Sequence, residues 1–123
     1  MNFVGNPGLM KQLNRSAILS LVRERGPLSR SDIARLLSLS PSTVTRIVGQ
    51  LVEEGLLRED GADEQDRAPA PPHRVGRRPT LLHFNFSAHL VVGVDIGGTK
   101  TVGAVADLQG TILHRQLIPS IPN

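Results

Sequence analysis

The side chains best suited to recognition chemistry in this sequence lie between residues 42 and 50. If this segment is helical, apolar residues recur at i, i+3, i+4 and i+7, so the opposite face is polar. That face carries Ser42, Arg46, Gly49 and Gln50, and two threonines lie on its flanks. Arginine and glutamine donate hydrogen bonds to DNA base edges, and short side chains let a helix backbone come close to them. The candidate contacts are Ser42, Thr43, Thr45, Arg46 and Gln50.

Two residues just upstream, Arg30 and Ser31, are candidates for holding DNA phosphates. They open a second helical pattern, which a short Leu-Ser turn separates from the polar helix. The turn, the Ser40-Pro41 start and the short-polar outer face together favour a DNA-binding helix-turn-helix. Two alternatives remain: a three-helix bundle whose polar face only meets water, and a helical module that binds protein.

A second group of residues could bind phosphate. Asp95 ends an apolar strand pattern and is followed by Gly97, Gly98, Thr99 and Lys100. The glycines would let backbone N–H groups approach a phosphate, Thr99 would add a donor, and Lys100 would neutralise charge. Asp95 could orient a magnesium ion or its water. A plain Gly-Gly hairpin is the competing interpretation.

Local signals predict the three helices that position the polar face. The first runs from about residue 9 to residue 25, and Ser29 or Ser31 caps the second. Ser40 followed by proline starts the third, which Gly55 ends. The residues predicted to point inward are Leu13, Ala17, Ile18, Leu21, Val22, Ile33, Leu36, Leu37, Val44, Ile47, Val48 and Leu51.

The segment 59–79 is charged and proline-rich, which predicts a loop. Arg77 and Arg78 precede a strand pattern, Thr80–Phe86, that could pair with Leu56–Arg58 as a wing. An arginine pair in an extended loop can enter an A·T-rich minor groove. A solvated basic linker is the alternative. After the wing, valine and isoleucine enrichment with breaks at Gly97-Gly98 and 107–110 predicts a strand and two hairpins, whose edges we expect to be poorly protected.

Composition limits the protein's class. The chain has no cysteine, no apolar run long enough to span a membrane and no signal-peptide core, so we expect a cytoplasmic protein. The net charge is only +3, but residues 1–58 hold eight Lys/Arg against four Asp/Glu, which fits a polyanionic partner or an ordinary surface. The four histidines are scattered, and we expect no metal site.

These motifs, in this order, resemble the ROK family of bacterial sugar-responsive repressors and sugar kinases. The segment 29–57 and the GRRP at 76–79 resemble the winged domain of its repressors, and DIGGTK at 95–100 resembles the phosphate loop of its kinase-like domain. The predicted fold class is α+β. A winged helix-turn-helix domain would cover residues 1–86, with 59–79 as flexible wing or linker. The first strands of an actin-like (ribonuclease H-like) ATPase/ROK domain, truncated, would cover 87–123.

The resemblance implies a repressor of sugar-metabolism genes that binds double-stranded DNA at an A·T-rich operator. Ser42, Thr43 and Arg46 would contact the major groove, and Arg77 and Arg78 the minor groove. Because the family's domain continues well beyond residue 123, we expect an N-terminal fragment with no enzymatic activity and no cofactor. ATP, Mg²⁺, a sugar or phosphosugar effector and a homodimer or larger oligomer would belong to the full-length protein. A fragment of a ROK sugar kinase, which phosphorylates a hexose with ATP, is the alternative.

Overall fold

The computed structural model describes residues 5–60 and 79–120, and the chain divides into two compact units, residues 1–85 and 86–123. The N-terminal unit contains α1 (Pro7–Arg25), β1 (Leu28–Ser29), α2 (Arg30–Leu37), α3 (Pro41–Glu53), β2 (Leu57–Glu59) and β3 (Leu81–Phe84). The C-terminal unit contains β4 (Leu90–Ile96), β5 (Lys100–Asp107) and β6 (Ile112–Pro119). No helix in the described ranges is long and apolar enough to cross a membrane.

Each helix begins at a side-chain cap. Asn6 Oδ1 accepts a hydrogen bond from the N–H of Leu9 at 3.2 Å, so α1 begins two residues before the predicted start. Ser29 rather than Ser31 caps α2, with its Oγ 3.1 Å from the N of Asp32. Ser40 caps α3 as predicted, accepting from the N–H of Thr43 at 3.2 Å. These caps satisfy amide groups that a helix start leaves without partners.

The ends of α2 and α3 use left-handed residues. Ser38 has φ 53° and turns the chain from α2 into the start of α3. Gly55, with φ +78°, ends α3 as predicted, since glycine adopts this conformation without a Cβ clash. The N–H of Leu56 then donates to the carbonyl of Leu51 at 2.9 Å, the bond that defines a Schellman end.

One apolar cluster holds the N-terminal unit together. The inward face predicted for α3 is confirmed, because all four of its apolar residues are buried. Two predictions for the other helices are wrong: Leu13 is 53% exposed and Leu36 is 36% exposed. The first half of α1 extends past the core, and α2 is short enough that only Ile33 is fully enclosed. The buried cluster comprises Ile18, Val22, Ile33, Val44, Ile47, Val48, Leu51, Leu57 and Leu82.

The strands of the N-terminal unit form a sheet in the order β1-β3-β2. The predicted pairing of the wing strands is confirmed, with Leu57 opposite Phe84 and Arg58 opposite His83. The pairing of β1 with β3 was not predicted, and it sets Leu28 opposite Leu82. Leu82 therefore lies on the central strand and closes the core beneath the helices.

The C-terminal unit is an antiparallel meander in the order β4-β5-β6, which confirms the predicted strand and two hairpins. Asp107 stabilises the second turn, since its Oδ1 accepts from the N–H groups of Gln109 and Thr111, both at 2.9 Å. The two outer strands, β4 and β6, are exposed along their whole length, whereas the central strand β5 is largely half-buried. The exposed large apolar residues are Leu90, Val91, Val92, Val94, Ile96, Ile112, Leu113, Leu117 and Ile118.

Candidate nucleic-acid interface

Helix α3 presents a polar face because its apolar residues fix its rotation about its own axis. With Val44, Ile47, Val48 and Leu51 buried, the positions one half-turn away point to solvent. Ser42, Thr45 and Arg46 are exposed on this face. Arg46 forms no ion pair with any residue that the structure describes. A cation without an internal partner is available to donate to an external acceptor.

Two other candidates on α3 are less accessible. Thr43 is half-buried, and its Oγ1 lies 2.8 Å from the Oγ of Ser40, so it takes part in the helix start. Gln50 is half-buried and lines a groove between the first half of α1 and the end of α3. Ser42, Thr45 and Arg46 are therefore the most exposed of the five α3 candidates.

The two phosphate candidates at the start of α2 differ in their surroundings. Arg30 is half-buried and pairs with Glu59, so it joins α2 to β2 inside the unit. Ser31 is exposed and borders a shallow concavity that Ser29, Pro79 and Thr80 also line. The sequence did not indicate the pairing of Arg30, because Glu59 is distant along the chain and falls at the start of the segment 59–79 that we predicted to be a loop.

Two carboxylates flank the helices with pKa values below their ordinary range. Hydrogen bonding to Ser29 lowers the pKa of Asp32, with Arg35 contributing further. The guanidinium of Arg15 lowers the pKa of Glu54, and one of its nitrogens lies 3.1 Å from the carboxylate. The Arg15–Glu54 pair joins α1 to the residue that follows α3, and so contributes to the orientation of α3.

Two further exposed residues of the N-terminal unit, Glu53 and Arg58, were not among the contacts predicted from the sequence. Glu53 lies seven residues after Arg46 and is exposed on the same side of α3. Arg58 is exposed on β2, opposite His83, which pairs with Asp60. Extending the helical spacing of the outward positions by two turns would have found Glu53. Arg77 and Arg78 lie outside the described residues.

The candidate phosphate-binding residues meet at the turn between β4 and β5, where all five are exposed. The N–H of Gly97 donates to the carbonyl of Lys100 at 2.8 Å, and a Cβ on Gly97 would lie 2.9 Å from that same oxygen. The hairpin itself therefore explains why residue 97 is a glycine, since a side chain there would collide with the backbone. Asp95 pairs with Val102 in register, so Asp95 and Lys100 share one face of the meander. The five residues are Asp95, Gly97, Gly98, Thr99 and Lys100.

Three helices, a short turn between α2 and α3, and a small sheet behind them define a winged helix-turn-helix domain, in which α3 takes the place of the recognition helix. Comparison with known proteins agrees, since the model of the MarR family matches residues 12–66.

Most of the chain is similar to several sugar-related repressors. It is 33% identical over 116 residues to the DNA-binding transcriptional dual regulator NagC of Escherichia coli strain K12, covering 94% of this chain and 27% of that protein. It is 30% identical over 113 residues to the xylose repressor of Bacillus spizizenii strain W23, covering 92% and 27%. A putative xylose repressor of Caldicellulosiruptor strain Rt8B.4 is 33% identical over 94 residues, covering 76% and 22%.

A solved structure gives the same assignment. The crystal structure of a ROK family transcriptional regulator, a homologue of the E. coli MLC protein, matches with a TM-score of 0.68 and 25% identity over 89% of this chain and 26% of that one. Over most of its own length, the chain is therefore similar to ROK-type transcriptional repressors. It spans about a quarter of the length of the relatives it matches.

Proposed function

We propose that this chain binds double-stranded DNA in a sequence-specific manner and represses genes of sugar metabolism. The observation that carries the proposal is the outward face of α3, on which Arg46 has no internal partner among the described residues while four apolar residues behind it hold the helix in place. Arg46 would donate to base edges, with Ser42 and Thr45 beside it. Ser31 would contact a phosphate at the start of α2.

The wing supplies a second contact in this proposal. β2 and β3 pair antiparallel, and Arg77 and Arg78 lie between them in the sequence. Arginines entering a minor groove favour A·T-rich DNA, where the groove is narrow and its potential is more negative. An A·T-rich operator is therefore the target we propose. Residues 1–86 would be the DNA-binding domain.

The names of the relatives support the sugar connection, since they are xylose repressors and an N-acetylglucosamine repressor. We propose that a longer protein of this type would add a sugar or phosphosugar effector site, dimerise and work in the cytoplasm. Residues 87–123 would then be the first strands of an actin-like domain. Catalysis by this chain is not proposed, and hexose phosphorylation has only the turn between β4 and β5 to support it.

Titration of labelled duplexes with the 123-residue chain tests the proposal. A 30-base-pair duplex enriched from a randomised pool by the wild-type chain serves as the specific probe, and a scrambled duplex as the non-specific one. We expect tighter binding to the enriched duplex, weakening as salt rises because phosphate contacts release counterions. Absence of any salt-sensitive DNA binding would refute the proposal.

A single substitution tests whether α3 makes the sequence-specific contact with DNA. We expect Arg46→Ala to lower the affinity for the enriched duplex by about 1–3 kcal/mol and to leave the scrambled duplex much less affected. Arg23→Ala, which removes the same charge from an exposed position on α1, is the matched control and should change neither affinity. An equal loss on both duplexes would assign Arg46 to phosphate.

A further inference from the structure

Gly49 lies in the middle of α3, where neither its backbone conformation nor a close neighbour among the described residues requires a glycine. It is exposed, and a Cβ added there would meet no atom within 4 Å apart from its chain neighbours and the backbone of its own helix. Gly26 and Gly97 are different, because added Cβ atoms would lie 2.3 Å from the carbonyl of Val22 and 2.9 Å from that of Lys100. Glycine within a helix is destabilising relative to alanine, since it loses more backbone freedom on folding. The folded chain alone would therefore favour alanine at position 49.

The position of Gly49 indicates what it accommodates. Ser42, Arg46, Gly49 and Glu53 follow one another along the outward side of α3, at spacings of four, three and four residues. Gly49 therefore leaves the helix backbone bare on the same side as Arg46, which has no ion-pair partner among the described residues. The major groove is about 12 Å wide, and a helix with its side chains is about 10–12 Å across, so the clearance is small.

We propose that Gly49 determines how deeply α3 enters the major groove, and that it is a specificity-determining residue for DNA binding. The inference rests on the proposed function. Without a side chain at this position, the second and third turns of α3 approach the base edges closely enough for Arg46 to form short, directed hydrogen bonds. A methyl group at position 49 would hold the helix away from the groove floor.

Specific and non-specific binding should respond differently to that displacement. Hydrogen bonds to base edges weaken steeply once donor and acceptor leave the range of about 2.7–3.2 Å. Attraction to phosphates decays over a Debye length of about 8–10 Å at physiological salt, so a shift of one methyl radius changes it little. Gly49 should therefore affect selectivity rather than overall attraction to DNA.

Gly49→Ala tests the inference because its expected effects on stability and on binding have opposite signs. We expect the melting temperature of the N-terminal unit to rise by about 4–8 °C, since alanine favours the helix. Affinity for the enriched duplex should fall about tenfold, with less than about a threefold change on the scrambled duplex. Gly49→Leu should remain folded and lower the specific affinity further.

The matched control is Ser20→Ala, which replaces an exposed residue of α1 by a better helix former. It should raise the melting temperature without changing either affinity. A Gly49→Ala variant that is more stable and equally selective would overturn the inference while leaving the proposed function intact. The inference would also be overturned if the Gly49→Ala variant lost the same affinity for both duplexes or became less stable than wild type. A wild-type chain that binds neither duplex would overturn the proposed function and the inference together.

Discussion

Replacing Leu82 by alanine tests whether the last strand of the N-terminal unit completes the helical core. Leu82 is 0% exposed and belongs to the same buried cluster as Ile18 and Ile33, although it lies 64 and 49 residues after them in the sequence. It is paired on both sides, with Leu28 of β1 and Glu59 of β2. Shortening this side chain should therefore destabilise the helices as well as the sheet.

The expected cost follows from the burial. Leucine to alanine removes about three methylene-sized groups at about 0.8 kcal/mol each, and a cavity that does not collapse adds to this, giving about 2–5 kcal/mol. A unit of this size has a total stability of about 4–13 kcal/mol. Leu82→Ala should therefore remove a large fraction of the stability of the N-terminal unit.

The measurement is chemical denaturation followed by the far-ultraviolet circular dichroism of the helices. Leu13→Ala is the matched control, because Leu13 is 53% exposed on α1 and the same atoms are removed there. We expect that variant to stay within about 0.5 kcal/mol of wild type. If Leu82→Ala had the same midpoint as wild type, β3 would not be part of the core. If Leu13→Ala were equally costly, the first half of α1 would be buried after all.

Three further predictions concern pH, charge and local stability. Ser29→Ala should cost the N-terminal unit about 0.5–2 kcal/mol at neutral pH through loss of the α2 cap. Because hydrogen bonding to Ser29 lowers the pKa of folded Asp32, wild type should lose that stabilisation as pH falls from the ordinary value of 3.8 through the lowered pKa. The Ser29→Ala variant should lose less unfolding free energy over this pH range. Curves of unfolding free energy against pH that run parallel for the two proteins would contradict this. Glu53→Gln should strengthen binding to scrambled duplex in a titration, since a carboxylate leaves the outward side of α3, whereas Glu24→Gln on α1 should have no effect. Amides of β4–β6 should exchange with solvent faster than those of α3. Equally slow exchange in both would refute the expectation that the edges of these strands are poorly protected.

The helices were the most predictable part of the fold because their signals are local. Ser40 with Pro41, Gly55 and the apolar spacing of α3 each act within one or two turns, and all three predictions are confirmed. The start of α1 was missed although Asn6 followed by proline is a signal of the same type as Ser40-Pro41. The wing pairing was also predicted, since strand patterns on either side of a loop commonly pair.

What could not be predicted depends on contacts between distant residues. An apolar periodicity shows which side of α1 is apolar, but it does not show how far along that side the rest of the protein extends, so Leu13 was placed inside. The pairing of β1 with β3 involves only two residues on one side, too few to show a pattern. The pairing of Arg30 with Glu59 needs β2 to fold back beside the start of α2.

By itself, the sequence determined where the helices of the N-terminal unit lie, which face of α3 is apolar and which residues lie on its polar side. These properties follow from hydrogen bonding and side-chain spacing over a few residues. The tertiary structure alone decided which polar residues are free to bind a partner. Thr43 takes part in a helix start and Arg30 joins two elements, whereas Arg46 and the bare backbone at Gly49 face outward. That difference depends on which groups the folded chain brings within hydrogen-bonding distance, and no local pattern records it.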